Sequence, residues 1–488
     1  MSALRFRLPS DLPDTVRRWL PYAYLVRGAE CVPLSSTVTI EDHLLVFSAL
    51  ETRGAVSACV PWLVGQEIWM LPTTTLLPGP RVYELVRELA RAQLHRVRSL
   101  VSEWQELGLT LPAELHTNLR QGIHQLLTSA HPDDSTKLAC ARHALHRAMA
   151  ASQALTLEKA RLLAQARQQC SPVPFYAGWS AETPWVGDYL AQLRPIFHGI
   201  QLAFPFDPQA CEQESYWRHL DTLLRRIQQQ GWQVSLGPFF DFASARFYEL
   251  WRTFHDENHF LEKATLFLSR VCTYAEGVHD WYVAAAINFF PTELNLEAGM
   301  SFLSRLLRPV KRFLTGKRVS VGLAQPWGEQ AHRASQQPIP LLLADWLSRA
   351  DLGINTLEVE LIFGCEPRGS FLRSPWSIRH LFDWFADNQL PLHLNLGLPA
   401  SVRSDSRADP PDQEVFAPAS EDWQAAWASA LLDLALAHPD VQRITWCDVT
   451  DAVPHLVPNG GLFDEAGQPR RVLQAFRQRC PTVPSPPR

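Results

Sequence analysis

The stretch HDWYVAAAINFF, residues 279–290, is the segment from which the fold is most directly derived. It follows an amphipathic segment at 260–275 and contains an unbroken run of aromatic, β-branched and small apolar residues from 281 to 287. A short apolar run of this kind is typical of a strand that is buried on both faces, as the strands of parallel sheets are. The sequence therefore predicts a parallel sheet covered by helices.

The same pattern recurs along the C-terminal two thirds of the chain, where amphipathic helices alternate with apolar strands. The eight predicted strands are FYAGWS (175–180), HGIQLAFPF (198–206), WQVSLGPFF (232–240), WYVAAAINF (281–289), RVSVGLAQP (318–326), NTLEVELIF (355–363), LPLHLNLGL (390–398) and QRITWCDV (442–449). The intervening helices are predicted at 215–230, 260–275, 297–314, 340–349, 375–387 and 421–437. Eight strand–helix units over roughly 310 residues fit an α/β fold of the (β/α)₈ TIM-barrel type.

The N-terminal third has a different pattern. Residues 18–76 contain β-branched and aromatic runs, and three helical stretches follow at 81–107, 113–129 and 135–168. A proline-containing break, CSPVPFYAGWS (170–180), precedes the first barrel strand. The sequence thus predicts a β-rich N-terminal domain (1–80), a helical segment packed between domains (81–170) and the barrel (171–488).

Composition excludes several function classes. The net charge of −5 gives no basic surface for nucleic acid, and no apolar run reaches the roughly 18 residues of a membrane span. Nine cysteines without a CxxC pair, and an N-terminus without a signal-peptide pattern, favour a reduced, cytoplasmic protein. We find no close His/Cys cluster for a metal and no glycine-rich nucleotide motif, so we expect no metal and no cofactor.

Four segments resemble glycoside hydrolase family 10, the xylanase-type barrels, and look closest to a divergent bacterial branch with an extra N-terminal domain. They are GVHDWYVAAAIN (277–288), LGINTLEVEL (352–361), NQLPLHLNLGLPAS (388–401) and ITWCDVTDAVPHLVPNGGLFDEAGQPRRVLQAF (444–476). The likeness covers residues 175–478, and the last segment is its most specific part. It implies a barrel that acts on O-glycosyl bonds of xylan-like glycans with two glutamates.

The departures from that family fall on its two catalytic positions. The resemblance implies a proton donor after the fourth strand, where this sequence has Ala285 and Ala286, and a nucleophile on the seventh, where it has Asn395 and Leu396. We take Ala286 and Leu396 as the replaced glutamates. General-acid help alone typically contributes about 10²–10⁴-fold, and leucine cannot form a glycosyl ester. The sequence therefore predicts apolar tips on both strands and a reworked or inactive glycosidase.

Two other acids are candidates for a replacement catalytic pair. Glu329 follows the fifth strand in QPWGE (325–329), and Glu358 and Glu360 alternate along the sixth, so that both face the barrel interior. We predict Glu329 and Glu360 as the catalytic residues, one with a raised pKa and one ionised. The alternative is that Glu358 and Glu360 neutralise core arginines and Glu329 is a loop charge.

Polar and aromatic side chains on or after the barrel strands are candidates for ligand contacts, because barrel sites form at the C-terminal ends of the strands. The predicted substrate-binding residues are Asn288, Gln325, Trp327, Glu358, His393, Asp241, Trp446 and Asp448. Core positions are the alternative for His393 and for the tryptophans, which otherwise suit sugar stacking. A polar loop at 403–420 should lie on the same face.

These observations leave three hypotheses for function. The first is a carbohydrate-active enzyme with a reworked site, which requires two carboxylates in one cleft. The second is a non-catalytic protein that binds an oligo- or polysaccharide. The third is an interaction protein that keeps the barrel as a rigid body and has a blocked mouth. No oligomeric state follows from the sequence.

Overall fold

The computed structural model describes residues 2–28, 30–50, 54–108, 110, 113–129, 134–183, 187–254, 256–330, 337–411 and 413–480. The chain divides into two compact units. The first comprises residues 1–163, 327–335 and 371–381, and the second comprises 164–326, 336–370 and 382–488.

The N-terminal part of the chain is rich in β-structure and ends in long helices, as predicted. Its strands are β1 (Ser2–Arg7), β2 (Tyr24–Arg27), β3 (Val32–Leu34), β4 (Thr37–Glu41), β5 (Leu44–Leu50), β6 (Ser57–Val64), β7 (Glu67–Pro72) and β8 (Val82–Glu84). They form two four-stranded sheets, in the orders β4-β5-β1-β8 and β3-β2-β6-β7. The helices are α1 (Asp14–Trp19), α2 (Leu85–Glu106), α3 (Ala113–Thr128) and α4 (Asp134–Cys170).

The second unit is built around a closed ring of eight parallel strands, which confirms the predicted (β/α)₈ barrel. In ring order the strands are β9 (Phe175–Ser180), β10 (Gly199–Ala203), β11 (Gln233–Leu236) with its continuation β12 (Phe240–Asp241), β13 (Asp280–Ala285), β14 (Arg318–Leu323), β15 (Thr356–Ile362), β17 (Leu392–Gly397) and β19 (Val441–Trp446). The ring closes where β19 pairs with β9. Two short strands, β16 (Cys365–Glu366) and β18 (Glu414–Val415), pair outside it.

Helices alternate with the barrel strands along the chain. They are α5 (Gly187–Leu193), α6 (Glu214–Gln229), α7 (Ala245–Thr253), α8 (Glu257–Tyr274), α9 (Leu296–Phe313), α10 (Pro340–Arg349), α11 (Pro375–Ala386), α12 (Glu421–Ala437) and α13 (Val472–Arg479). On β15 the aliphatic residues Leu357, Val359 and Leu361 and the acids Glu358 and Glu360 are all buried. Burial of both faces is what a strand enclosed by a barrel and its helices requires.

The third barrel strand is interrupted between β11 and β12. A Cβ on Gly237 would lie 1.8 Å from the carbonyl oxygen of Tyr282, and Gly237 has φ +117°, so only glycine fits this close approach. Pro238 follows and has no N–H to give to the ladder. The predicted continuous strand at 232–240 is therefore split into two short pieces.

Candidate functional site

The interior of the barrel contains a buried charged layer. Glu358, His393 and Arg443 stand side by side in register on β15, β17 and β19. Glu358 Oε1 accepts hydrogen bonds from Ser320 Oγ (2.8 Å), from His393 Nδ1 (3.0 Å) and from Arg443. TIM-barrel interiors are usually filled by branched aliphatic residues, so this layer is unusual.

Asp280 extends the charged layer at the base of the barrel. Its carboxylate lies 3.1 Å from Arg443 and 3.2 Å from Arg318. Burial opposes ionisation of Glu358, but Arg443 and His393 outweigh it and lower the pKa of Glu358 to about 2. Burial, with Arg443 nearby, lowers the pKa of His393. Glu358 is therefore an arginine-paired carboxylate of the core, and His393, whose lowered pKa favours the neutral ring, donates a hydrogen bond to it.

A cavity of about 590 Å³ opens above this layer, at the C-terminal ends of the strands. This volume lies within the range of about 300–1,000 Å³ that is typical of small-ligand sites. Aromatic residues line it, among them Trp179, Phe206, Phe240, Phe247 and Tyr282. Residues 406–409 and 411, from the predicted loop after the seventh strand, form part of its wall.

Arg368 joins two of the cavity's carboxylates. Its Nε and Nη2 donate to the two oxygens of Glu360, at 3.2 and 2.9 Å, and its Nη1 donates to Asp241 at 2.8 Å. Burial raises the pKa of Glu360, and the negative charge of Asp241 raises it further, although Arg368 opposes both effects. The predicted site residues Glu360 and Asp241 are therefore brought together by one guanidinium group.

The hydroxyl of Tyr282 and Oδ1 of Asn395 are buried polar atoms of the cavity lining that have no hydrogen-bond partner among the described residues. They belong to side chains that are 1% and 3% exposed. The hydroxyl of Tyr282 lies over Gly322, where a Cβ would be only 2.0 Å away. Buried polar groups are nearly always paired, so unpartnered ones in a cavity wall mark positions where a ligand would bind.

The fourth and seventh strands bring no carboxylate to the described part of the cavity lining. From these strands Tyr282, Ala285 and Asn395 line the cavity, whereas Ala286 and Leu396 do not. Apolar tips were expected on both strands, but only Ala285 fits, because Tyr282 and Asn395 bring a hydroxyl and an amide to the lining. The reason is that period-2 alternation turns Asn395 inward with Glu360, its register partner on β15, and turns Leu396 outward.

A histidine–carboxylate cluster lies beside the cavity. His455 donates through Nε2 to Asp405 (2.8 Å) and through Nδ1 to the carbonyl oxygen of Val453 (2.7 Å). Burial opposes the charge, but Asp405 and the nearby Asp448 raise the pKa of His455 to about 9. Asp448, a predicted site residue, lines the cavity and accepts the backbone N–H groups of Leu456 and Val457 at 2.9 and 3.0 Å.

Three predicted ligand contacts are engaged elsewhere in the fold and do not line the cavity. Asn288 bridges the backbone N–H and C=O of Ala324, at 3.0 and 2.9 Å. Gln325 donates to the carbonyl oxygens of residues 367 and 369. Trp446 is buried in the core and donates to the carbonyl oxygen of Gly460. Each of these side chains fastens one segment of backbone to another.

Glu329 and Trp327 belong to the first compact unit. There, Glu329 Oε1 accepts a 2.5 Å hydrogen bond from Arg373, which also donates to the hydroxyl of Tyr24 at 2.9 Å. The guanidinium of Arg373 lies 4.8 Å from the centre of the Trp327 ring. Neither Glu329 nor Trp327 is among the residues that line the barrel cavity, and Glu329, like Glu360, has an arginine partner.

Several cavity residues have no role in the site that the sequence predicts. Arg368, Asn395, Tyr282 and His455 are the most informative of them. The available signal was their position: Asn395 shares the inward face of β17 with His393, and Arg368 lies just after β15. Pairing of Glu360 with a core arginine was one of the two interpretations of the sequence, but the sequence did not identify Arg368 as that arginine.

Neither a metal centre nor a membrane-spanning segment is found in the described ranges. No group of three or more His, Cys, Asp or Glu side chains there is arranged to hold a metal ion. No described helix is both long enough and apolar enough to cross a membrane.

Comparisons with known proteins give structural likenesses at low identity. No protein-family model matches the chain, and no curated protein matches it. Xylanase 10B from Thermotoga petrophila RKU-1, in complex with xylobiose, is 13% identical with a TM-score of 0.44 and is matched over 66% of this chain and 96% of its own. The endo-1,4-β-xylanase XylE of Penicillium canescens is 12% identical with a TM-score of 0.48, over 67% and 98%. The β-glucuronidase of Ruminococcus gnavus is 10% identical with a TM-score of 0.42, over 63% and 50%.

Proposed function

We propose that this chain binds a short carbohydrate in the barrel cavity and does not cleave it by the two-glutamate route. The observation that carries the proposal is a ligand-sized cavity lined by aromatic rings and hydrogen-bond acceptors, to which strands four and seven contribute no described carboxylate. Aromatic faces suit the apolar C–H faces of pyranose rings, and carboxylate and amide oxygens accept hydrogen bonds from hydroxyl groups. The resemblance of four segments to family 10 supports sugar as the ligand class.

The state of the two central carboxylates also supports binding over cleavage. A retaining glycosidase needs one carboxylate that is free to attack the anomeric carbon and an acid about 5–5.5 Å from it. Glu360 and Asp241 are both held by Arg368, and the bidentate contact occupies both oxygens of Glu360. In this arrangement their role is to orient Arg368 and to accept hydrogen bonds from the ligand.

A second candidate function, hydrolysis with Glu360 as general acid, is favoured by one observation. Glu360 lines the cavity, and burial raises its pKa, which is the direction that a proton donor requires. The second carboxylate of such a mechanism would be Asp448. It lines the cavity just after a barrel strand, burial raises its pKa, and it has no arginine partner among the described residues.

The deciding experiment measures binding and release of reducing ends together, on a panel of plant and bacterial oligosaccharides. Binding without release supports the proposal. Release that is abolished by Glu360→Gln would establish the second candidate instead. Glu329→Gln is the matched control, because Glu329 is a buried, arginine-paired glutamate outside the cavity lining. If the Glu329→Gln variant stays folded by circular dichroism and also loses release, the predicted Glu329–Glu360 catalytic pair is supported instead. If no oligosaccharide binds, the proposal is wrong.

A further inference from the structure

The cavity lining has more carboxylates than cations, and not every carboxylate has a cation partner. Six carboxylic residues line it, Glu182, Asp241, Glu249, Glu360, Asp409 and Asp448, against three arginines and His455. Each of these cations has a carboxylate partner. The ion pairs are Arg246–Asp207 (2.9 Å), Arg368–Glu360 (2.9 Å), Arg407–Glu465 (2.7 Å) and His455–Asp405 (2.8 Å). The described lining therefore offers an incoming anion no cation without a carboxylate of its own.

Four of the six carboxylates make no ion pair within the described ranges, namely the exposed Glu182 and Glu249 and the more buried Asp409 and Asp448. Asp409 accepts the backbone N–H of Ala245 at 3.0 Å, and Asp448 accepts the N–H groups of Leu456 and Val457. Their hydrogen bonds come from backbone N–H groups, and the nearest cations, His455 for Asp448 and Arg368 for Asp409, already pair with other carboxylates. A cleft with low-dielectric walls concentrates the field of such charges and attracts the opposite sign.

The cavity also contains Asn395 Oδ1 and the hydroxyl of Tyr282, which are buried without a hydrogen-bond partner among the described residues. An amide oxygen only accepts hydrogen bonds, so Asn395 requires a donor from a ligand. These atoms lie beside Glu360 and differ from the acidic wall in kind, because they are neutral groups whose hydrogen bonds a ligand with O–H or N–H groups would complete. The cavity therefore offers a ligand hydrogen-bond acceptors of two kinds, the carboxylates of the wall and these neutral oxygens.

We propose that the ligand of this cavity is an amino sugar, a glycan whose rings carry free protonated amino groups. This inference rests on the proposed function and specifies its ligand class. The hydroxyl groups of the sugar bind Asn395 and Tyr282, and its ammonium group lies against Asp409 and Asp448. Uronic acids are excluded by the same wall, because every lining cation is already neutralised.

The test is a titration calorimetry series with the full chain and four matched ligands. These are the β-1,4-linked trisaccharides of glucosamine, N-acetylglucosamine and glucose, together with trigalacturonic acid, at pH 6. We expect the glucosamine trimer to bind about tenfold more tightly than the glucose trimer at 10 mM salt, a difference of about 1.4 kcal/mol. The ratio should fall toward unity at 1 M salt, where the Debye length is only about 3 Å. Trigalacturonic acid should bind most weakly.

The variant that probes the wall is Asp409→Asn, which keeps the oxygen that accepts from Ala245 and removes the charge. We expect it to lower the glucosamine-to-glucose affinity ratio about threefold, or roughly 0.65 kcal/mol. The matched control is Glu262→Gln on the exposed surface of α8, which should leave the ratio unchanged.

Failure of this inference can be distinguished from failure of the proposed function. Equal affinity for the glucosamine and glucose trimers, tighter binding of trigalacturonic acid, or a ratio unaffected by Asp409→Asn overturns the amino-sugar assignment and leaves carbohydrate binding in place. If none of the amino, acetylated, neutral or acidic sugars binds, the proposed function itself is overturned.

Discussion

Arg368 and Glu360 form a two-point ion pair in the barrel cavity, with Nη2–Oε1 and Nε–Oε2 separations of 2.9 and 3.2 Å. The planar guanidinium matches the carboxylate, and the remaining Nη1 reaches Asp241. One cation thus sets the position of two acids that sequence reasoning had placed in the site separately. Their chemistry depends on a loop arginine as much as on the strand that carries Glu360.

Removal of that arginine should destabilise the fold strongly. In Arg368→Gln, two carboxylates in the barrel lose their cation, and breaking a buried pair in this way typically costs about 3–5 kcal/mol. We expect a fall of that size in the free energy of unfolding, measured by urea denaturation. Arg246→Gln is the control, because Arg246 pairs with Asp207 at the exposed surface and should cost less than about 1 kcal/mol. Equal effects of the two substitutions would contradict this assignment.

Tyr282→Phe should separate stability from binding. The hydroxyl is buried without a partner among the described residues, so its removal relieves an unsatisfied group and should leave the unfolding free energy unchanged or raise it by about 1 kcal/mol. The same change should weaken oligosaccharide binding about five- to tenfold, since one hydrogen bond to the ligand is lost. Thermal denaturation and calorimetry on one preparation check both signs. Weaker binding together with loss of stability would indicate a structural role instead.

His455 should make stability depend on alkaline pH. Its pKa in the folded protein is about 9, above the ordinary value of 6.5, so the folded state binds the proton more tightly than the unfolded state. The stabilisation is fully present below pH 6.5 and is lost as pH rises through 9, and it amounts to about 3 kcal/mol at most. Unfolding free energies measured from pH 6 to 10 should fall less steeply in His455→Gln than in the natural protein. Parallel curves would contradict the assignment.

Glu358 should give the opposite dependence in acid. Its pKa in the folded protein is about 2, below the ordinary value of 4.5, so its contribution is present above pH 4.5 and is lost as pH falls toward 2. Glu358→Gln should therefore be destabilised by about 3–5 kcal/mol at neutral pH, and the deficit should shrink as the pH is lowered through that window. Urea denaturation at pH 7, 4 and 2.5 measures it. A deficit that does not change with pH would mean that lost packing, and not charge, is responsible.

The barrel was predictable because its strands are short apolar runs separated by amphipathic helices. All eight lie where the sequence pattern indicated, and the alternation of Glu358 and Glu360 placed both inside. Their arginine partners were less accessible to sequence reasoning. Arg443 comes from another strand far along the chain, so only the closed ring brings it to Glu358.

The direction of the side chains at the ends of the strands could not be predicted from the period-2 alternation of the sequence. The pairing of β13 with β14 shifts register between Tyr282 and Ala284, and Ala286 has a positive φ of 49°. The alternation of inward and outward side chains is therefore lost at the end of β13, where the resemblance implies the proton donor. Glu329 was assigned to the barrel site because it follows β14 in sequence. However, the chain enters the other compact unit at residue 327, two residues before it.

The charged layer of Glu358, His393, Arg443 and Asp280 constrains how this barrel can be altered. Replacing Glu358, Arg443 or Asp280 alone leaves an opposite charge buried with fewer partners, and replacing His393 removes a hydrogen-bond donor to Glu358. Replacing the whole set with well-packed aliphatic residues is an exchange that buried ion networks often tolerate or even benefit from. Single substitutions in this layer are therefore expected to destabilise the barrel, whereas simultaneous replacement of all four residues can preserve its stability. Re-engineering of this scaffold has to treat the four side chains as one indivisible part.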